Sequence, residues 1–232
     1  MKRFYKNVDL KDDADGFKIH LDGRPVKTPA RNGLILPTRQ LAEKIIDEWE
    51  SQGQEINPDT MPMTALAQGA LDQVVRERQR IVGRIAAFAD SDMLYFRGDN
   101  SQADLVEHQA ENWDPLLDWA RSRFDVSFKL VHGIMHESQS DETIARLSVA
   151  VESHDNFALA AMLSISGLTG SLIATLALFE KKFDPVLIWQ LSNLEELWQE
   201  QQWGSDELAQ QKRDAREAEY LAAVAFLELS RT

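Results

Sequence analysis

The chain has 232 residues, 44% of them hydrophobic and 27% charged, with 38 acidic side chains against 25 basic ones for a net charge of −13. That length can bury a substantial core, and the acidic excess lacks the clustered Lys and Arg that neutralise phosphate, so nucleic acid and anionic membrane are excluded as expected partners. No cysteine is present, which excludes disulfides, thiolate catalysis and cysteine zinc sites and fits a reducing compartment.

The N-terminus is basic but has no apolar run behind it, so it reads as neither a secretory signal nor a cleaved transit peptide. Phe17, Ile19 and Leu21 alternate with Lys18 and His20, the period of a half-buried strand, and Asp22-Gly23 supplies a hairpin turn before residues 24–28. A second turn is expected at Asn32-Gly33, then a short strand over 34–36 stopped by Pro37. Thr38 is placed to cap a helix whose Leu41, Ile45 and Trp49 share one face. Pro58 and Pro62 bracket an extended connector, where the domain boundary is expected.

Beyond Thr64 the pattern becomes helical. Leu66, Ala70 and Val74, then Ile81, Ile85 and Phe88, predict one long or twice-bent amphipathic helix. After a short apolar break at 93–96, Ser101 with Asp104 resembles a capping box, and Leu105, Gln109 and Trp113 follow along one side. Asp114-Pro115 predicts a fresh helix start running through Trp119. Residues 126–139 are irregular with room for one strand, and Ser140 caps a helix carrying Ile144, Leu147 and Val151. Residues 157–179 contain no charged side chain, yet Ser164, Ser166, Gly167, Thr169, Gly170, Ser171 and Thr175 dilute their apolarity. They therefore predict two buried core helices with a break near Gly167 and Gly170, not a membrane span. The last helix is expected over 207–229, with alanines at 209, 215, 218, 222, 223 and 225 that permit close packing.

The fold class is therefore α+β: a small N-terminal domain over 1–60, with antiparallel β structure and a helix, followed by a larger all-helical domain over 61–232. Residues 194–206 stand out within the second domain. Leu187, Leu191, Leu194 and Trp198 make a core-facing stripe, while Glu195, Gln199 and Trp203 mix an acid, an amide and an indole on successive turns, a composition suited to binding. Gly204 is expected to end that helix in a left-handed cap, with Ser205 or Asp206 starting the next.

The search for catalytic chemistry is mostly negative. His132 and His136 stand four apart, but Gly133 and the strand-like residues before it disfavour a helix, and no metal site is expected there. There is no P-loop and no G-x-S-x-G elbow. Glu195 with Glu196 and Asp90 with Asp92 are adjacent or near-adjacent acids of the kind that usually face water. No catalytic residue is assigned, and composition and spacing favour a binding or scaffolding protein over an enzyme.

Several blocks carry a family resemblance. Asp22-Gly23-Arg24-Pro25-Val26-Lys27-Thr28-Pro29, Leu36-Pro37-Thr38, Glu48-Trp49 and Met61-Pro62-Met63-Thr64 resemble the ATP twelve family of ATP synthase assembly chaperones, which attend the alpha subunit of the catalytic F1 head. Asp92, Leu94, Tyr95 and Arg97, then Gln109, Trp113, Asp114, Pro115, Leu116 and Trp119, are similar to a second pattern of that family. Leu194-Glu195, Gln199, Gln201 and Trp203-Gly204 resemble its C-terminal signature.

This resemblance implies a chaperone without nucleotide or metal, whose partner is the ATP synthase alpha subunit; no other cofactor, no nucleic acid and no membrane insertion are expected, and the free state is expected to be monomeric. It implies that the acid at Glu195 matters for action and the tryptophan at Trp49 for integrity. Partner binding is expected at Glu195, Gln199, Trp203, Trp198 and Gly204, and structural roles at Trp49, Arg24, Trp113 and Pro115. If Met1 is the native start the protein is expected in a bacterial cytoplasm, its eukaryotic relatives in the mitochondrial matrix. Two alternatives remain open on sequence: a generic helical protein-binding adaptor, and a hydrolase using convergent carboxylates.

Overall fold

The computed structural model describes residues 1–99 and 101–231, which form two compact units. The first comprises Met1–Ile81, Asp155–Met162 and the described chain from Leu221 onward; the second comprises Val82–His154 and Leu163–Tyr220.

The first unit is built on a four-stranded antiparallel sheet. Strands β1 (Val8–Asp13), β3 (Arg24–Pro25) and β4 (Ile35–Leu36) all pair with β2 (Gly16–Leu21). The central position of β2 explains its alternation, because Ile19 and Leu21 point into the core while Lys18 and His20 stay partly exposed. Asp22 and Gly23 both adopt positive φ, 47° and 78°, the backbone that matches a two-residue hairpin to the strand twist. The Asp22 carboxylate also accepts the backbone N–H of Asn7 at 2.9 Å, which ties the turn to the chain entering β1.

Helix α1 (Arg39–Glu50) packs on this sheet through Leu41, Ala42, Ile45 and Trp49, and Thr38 caps it by accepting the Leu41 N–H at 3.2 Å. Trp49 is buried against the edge of Tyr5, and the Tyr5 hydroxyl donates to the Trp49 carbonyl at 2.7 Å. The Glu48 carboxylate crosses to the next helix, α2 (Pro62–Gly69), and accepts the N–H groups of Met63 and Thr64, each at 2.8 Å, and the Thr64 hydroxyl at 2.7 Å. Two blocks of the sequence signature, Glu48-Trp49 and Met61-Pro62-Met63-Thr64, are thus the two halves of one tertiary helix cap. Burial pushes the Glu48 carboxyl above its ordinary range against these hydrogen bonds.

This cap moves the boundary expected at residue 60. Pro58–Thr60 forms a 3₁₀ turn, and Glu48 fastens the helix beyond it to α1, so the strand-bearing unit continues to Ile81 instead of ending at the prolines. A π-helical turn at Ala70–Val74 joins α2 to α3 (Val75–Ala86), and a non-helical Glu77 (φ −126°) kinks α3 within its first turn. Asp72, in the π turn, accepts from the Thr28 hydroxyl at 2.6 Å, the Ala30 N–H at 2.9 Å and the Asn32 amide at 2.8 Å, holding the turn that follows Lys27-Thr28-Pro29.

The second unit is mainly helical: α4 (Phe88–Ser91), α5 (Ala103–Phe124), α6 (Asp141–Glu152), the later part of α7 (Asn156–Thr169), α8 (Leu172–Phe179), α9 (Pro185–Ser192), α10 (Leu194–Trp203) and the earlier part of α11 (Glu207–Leu229). Every residue of α8 from Leu172 to Leu178 is buried, and α4, α5 and α9 pack around it. Gly170, at φ 67°, separates α7 from α8, and Ser171 caps the latter. Among the described residues no helix is long and apolar enough to cross a membrane.

Three local expectations change. Helix α5 runs unbroken through Pro115, whose exposure, with that of Glu111 one turn before, leaves the carbonyl that loses its N–H partner on the solvent side. Ser101 does not cap α5; its hydroxyl donates to Asp99 at 2.5 Å. The strand for which residues 126–139 left room forms as β6 (Val131–His132), but it pairs in parallel with β5 (Phe96–Arg97), a strand at the end of the apolar break that the pattern does not mark.

Candidate functional site

The second pattern in the sequence, from Asp92 to Trp119, folds into a buried polar framework. Asp92 is fully buried just before the 3₁₀ turn Met93–Tyr95; one of its oxygens accepts the Leu94 N–H at 3.1 Å. The other accepts the Ser171 hydroxyl and the Ile173 N–H, each at 2.9 Å, at the start of α8. Burial pushes the Asp92 carboxyl up to about 6, the hydrogen bonds only partly offsetting the desolvation. The Met93 N–H donates to the Gly170 carbonyl at 3.0 Å, so the same two segments are joined twice.

Arg97, at the end of β5, is 4% exposed and pairs with Asp114 at 2.6 Å while its guanidinium lies 5.1 Å from the centroid of the Trp113 ring. Trp113 is 1% exposed and its indole N–H donates to the Leu191 carbonyl at 2.9 Å, near the end of α9. Gln109, one turn earlier on α5, is completely buried; it accepts the Gly98 N–H at 2.8 Å and donates to a Glu195 carboxylate oxygen at 2.6 Å. Each helical turn of α5 from Gln109 to Trp113 therefore holds one piece of the α9–α10 corner.

That corner presents the candidate site. Asn193 leaves helical geometry (φ −115°, ψ 19°), so the stripe expected along one helix is divided between α9 and α10. Leu191 and Leu194 are buried as expected, but Leu187, in the first turn of α9, is 40% exposed. Glu195 and Glu196 sit in the first turn of α10, where carboxylates interact favourably with the helix dipole. They border an open cleft of about 480 Å³ shared with Met93, Phe96, Trp113, Asn193 and Arg216. Arg216 is fixed by donating to the Leu168 carbonyl at 2.8 Å. Arg213 bridges Glu196 and Glu200, each at 2.8 Å, and so ties α11 alongside α10.

The remaining expected residues fall as follows. Trp198 is half-buried, with its ring 4.8 Å from that of His108. Gln199 is exposed on α10, and Trp203, at its end, is 80% exposed. Neither borders the cleft. Gly204 has positive φ but extended ψ (89°, 163°), so it ends α10 without the left-handed helical cap; Asp206 starts α11 by accepting the N–H groups of Leu208 at 2.7 Å and Ala209 at 3.1 Å. Trp49, far along the sequence, is a core residue of the first unit, whereas Arg24 is exposed in β3.

Glu196, Arg216, Phe96 and Asn193 were not singled out from sequence as site residues. The signal available was Gln109, an amide standing in an apolar stripe between Leu105 and Trp113, since a buried amide requires partners. His132 and His136 do not converge: His136 faces Asp90 at 3.0 Å, and among the described residues no group of three His, Cys, Asp or Glu is placed to hold a metal. What the cleft offers is an accessible acid fixed by a buried amide, with aromatic faces beside it. That is equipment for recognition.

A family model described as "ATP12 chaperone protein" matches residues 2–121. The structure is similar to that of Atp12 from Paracoccus denitrificans, with a TM-score of 0.93 and 33% identity, covering 99% of this chain and 98% of that one. A structure from Agrobacterium tumefaciens is 39% identical, also with a TM-score of 0.93, covering 99% of this chain and 86% of the other. Protein atp12, mitochondrial, of Schizosaccharomyces pombe is 27% identical over 215 residues, 88% of this chain and 74% of the relative. With the strand-bearing unit and the α5 framework formed by the residues of the sequence signature, the chain belongs to the ATP12 chaperone family.

Proposed function

We propose that this protein is an assembly chaperone of ATP synthase that binds the unassembled alpha subunit and covers its apolar interface until the beta subunit replaces it. The observation that carries the reading is the cleft at the α9–α10 corner, in which Glu195 is exposed to a partner yet held in place by the buried Gln109. An unassembled subunit exposes apolar surface that drives self-association. Glu195 and Gln199 supply acceptors and donors for polar groups of that subunit, and Trp203 supplies an aromatic anchor beyond the cleft. No step makes or breaks a bond, and no nucleotide, metal or other cofactor is required. The free protein is a monomer in the cytoplasm, and its charge of −13 keeps the complex soluble.

The test is to dilute purified alpha subunit from denaturant with and without this protein, in the absence of ATP, and follow light scattering and co-elution on a sizing column. Suppressed scattering with a co-eluting pair is expected, and addition of beta should release the chaperone. Unchanged aggregation of alpha would overturn the reading.

A further inference from the structure

Among the described residues of the second unit the most exposed large apolar side chain is Ile134, at 95%, in the loop after β6, and Met135 beside it is 78% exposed. Both feet of this loop are fastened. On one side the Gly133 N–H donates to the Arg97 carbonyl at 2.9 Å and His132 Nδ1 lies 3.3 Å from the Gly98 carbonyl. On the other, His136 Nε2 lies 3.0 Å from one Asp90 oxygen while the other accepts the Gln139 N–H at 2.8 Å. Two apolar side chains are thus held out in water by anchored backbone, which costs solvation and contributes nothing to the core.

The loop is continuous with the cleft. The His136 ring stacks on Phe96, with centroids 6.4 Å apart, and Phe96 is also a wall of the cleft bordered by Glu195. Lys129 and Glu137 pair with each other at 3.0 Å, so the salt bridge beside the tip brings no unbalanced charge to it. We infer that Ile134 and Met135 form a second contact arm for the partner seated on the Glu195 cleft, with Phe96 joining the two, and that the arm receives an uncharged apolar patch of an unassembled protein subunit. Methionine suits such a role because its unbranched, polarisable chain adapts to irregular surfaces. The inference rests on the proposed chaperone reading, and adds to it where a second part of the client surface is held and what its chemistry is.

The test places a photo-crosslinking benzoylphenylalanine at Met135, at Gln199 and, as a control, at Glu43, and irradiates each full-length variant with purified unassembled alpha subunit. Crosslinks to alpha from 135 and 199 but not 43 are expected. A crosslink from 199 alone overturns the second arm while leaving the chaperone reading intact, and one from 135 alone overturns the shared surface. Crosslinking from neither position overturns the chaperone reading itself, and the arm with it. A crosslink from 135 to a second copy of this chain overturns the arm in favour of self-association. In parallel, the double variant Ile134→Ser/Met135→Ser should bind alpha at least tenfold more weakly with an unchanged Tm, as expected for solvent-exposed anchors. Unchanged affinity would overturn the inference.

Discussion

Gln109 spans from Gly98 to Glu195, accepting a backbone N–H at 2.8 Å on one side and donating to the carboxylate at 2.6 Å on the other. The buried amide thereby makes the position of an exposed acid depend on the interior of the second unit. Gln109→Leu removes the donor to Glu195 and leaves the Gly98 N–H without its acceptor. The expected cost is about 1–3 kcal/mol in denaturant unfolding, together with weakened alpha binding. Stability and binding both unchanged would show that the amide does not position the acid.

Trp203 separates binding from folding. Because its ring is 80% exposed, Trp203→Ala should leave Tm within about 1 °C while alpha affinity falls roughly tenfold. Circular dichroism melts beside titration calorimetry check this. A loss of stability without a loss of affinity would make Trp203 a structural residue.

Asp92 supplies a pH signature. Its folded pKa, about 6, lies above its ordinary value of 3.8, so between these pH values the folded state holds more protons than the unfolded chain and stability falls as pH rises. Relative to Asp92→Asn, which does not titrate, the wild type should gain about 1 kcal/mol on going from pH 7 to pH 5. Urea unfolding of both proteins at the two pH values measures the difference. A gain in the opposite direction would mean that Asp92 is stabilised as an anion.

Glu48 is the cap of a helix that begins fourteen residues after it in sequence. Glu48→Ala frees the Met63 and Thr64 N–H groups and the Thr64 hydroxyl, and should cost about 2 kcal/mol in chemical denaturation. A loss below about 0.5 kcal/mol would show that solvent replaces the carboxylate there.

Much of the fold was legible wherever a local rule and the tertiary environment agreed. The alternation of Phe17, Ile19 and Leu21, the Asp22-Gly23 turn, the Thr38 and Ser140 caps and the break near Gly170 all lie where the sequence places them. Strand β1 was not legible, because the alternation of Val8 and Leu10 with Asp9 and Lys11 is only two apolar residues long before it gives way to Asp12-Asp13, and none of its side chains is fully buried. Pro115 misled because its helix-starting preference is local, whereas α5 is held on both sides of it by Gln109, Trp113, Leu116 and Leu117 in the core. At the site, the periodicity that put Leu191 and Leu194 inside left Glu195 on a mixed stripe of acid, amide and indole, and Glu195 is exposed. The cleft beside Glu195 depends on Phe96 and Arg216, which are separated from it by 99 and 21 residues respectively. Such convergence brings together residues of β5, α10 and α11, and no spacing rule along one helix contains it.

The most direct measurement is the affinity of purified, unassembled alpha subunit for the wild type and for Glu195→Lys, each checked for an unchanged melting temperature. The lysine places a cation opposite the Gln109 amide donor and at the edge of the cleft, and the account predicts at least a tenfold loss of alpha binding in a folded protein. Equal affinity of the two folded proteins for alpha would contradict it.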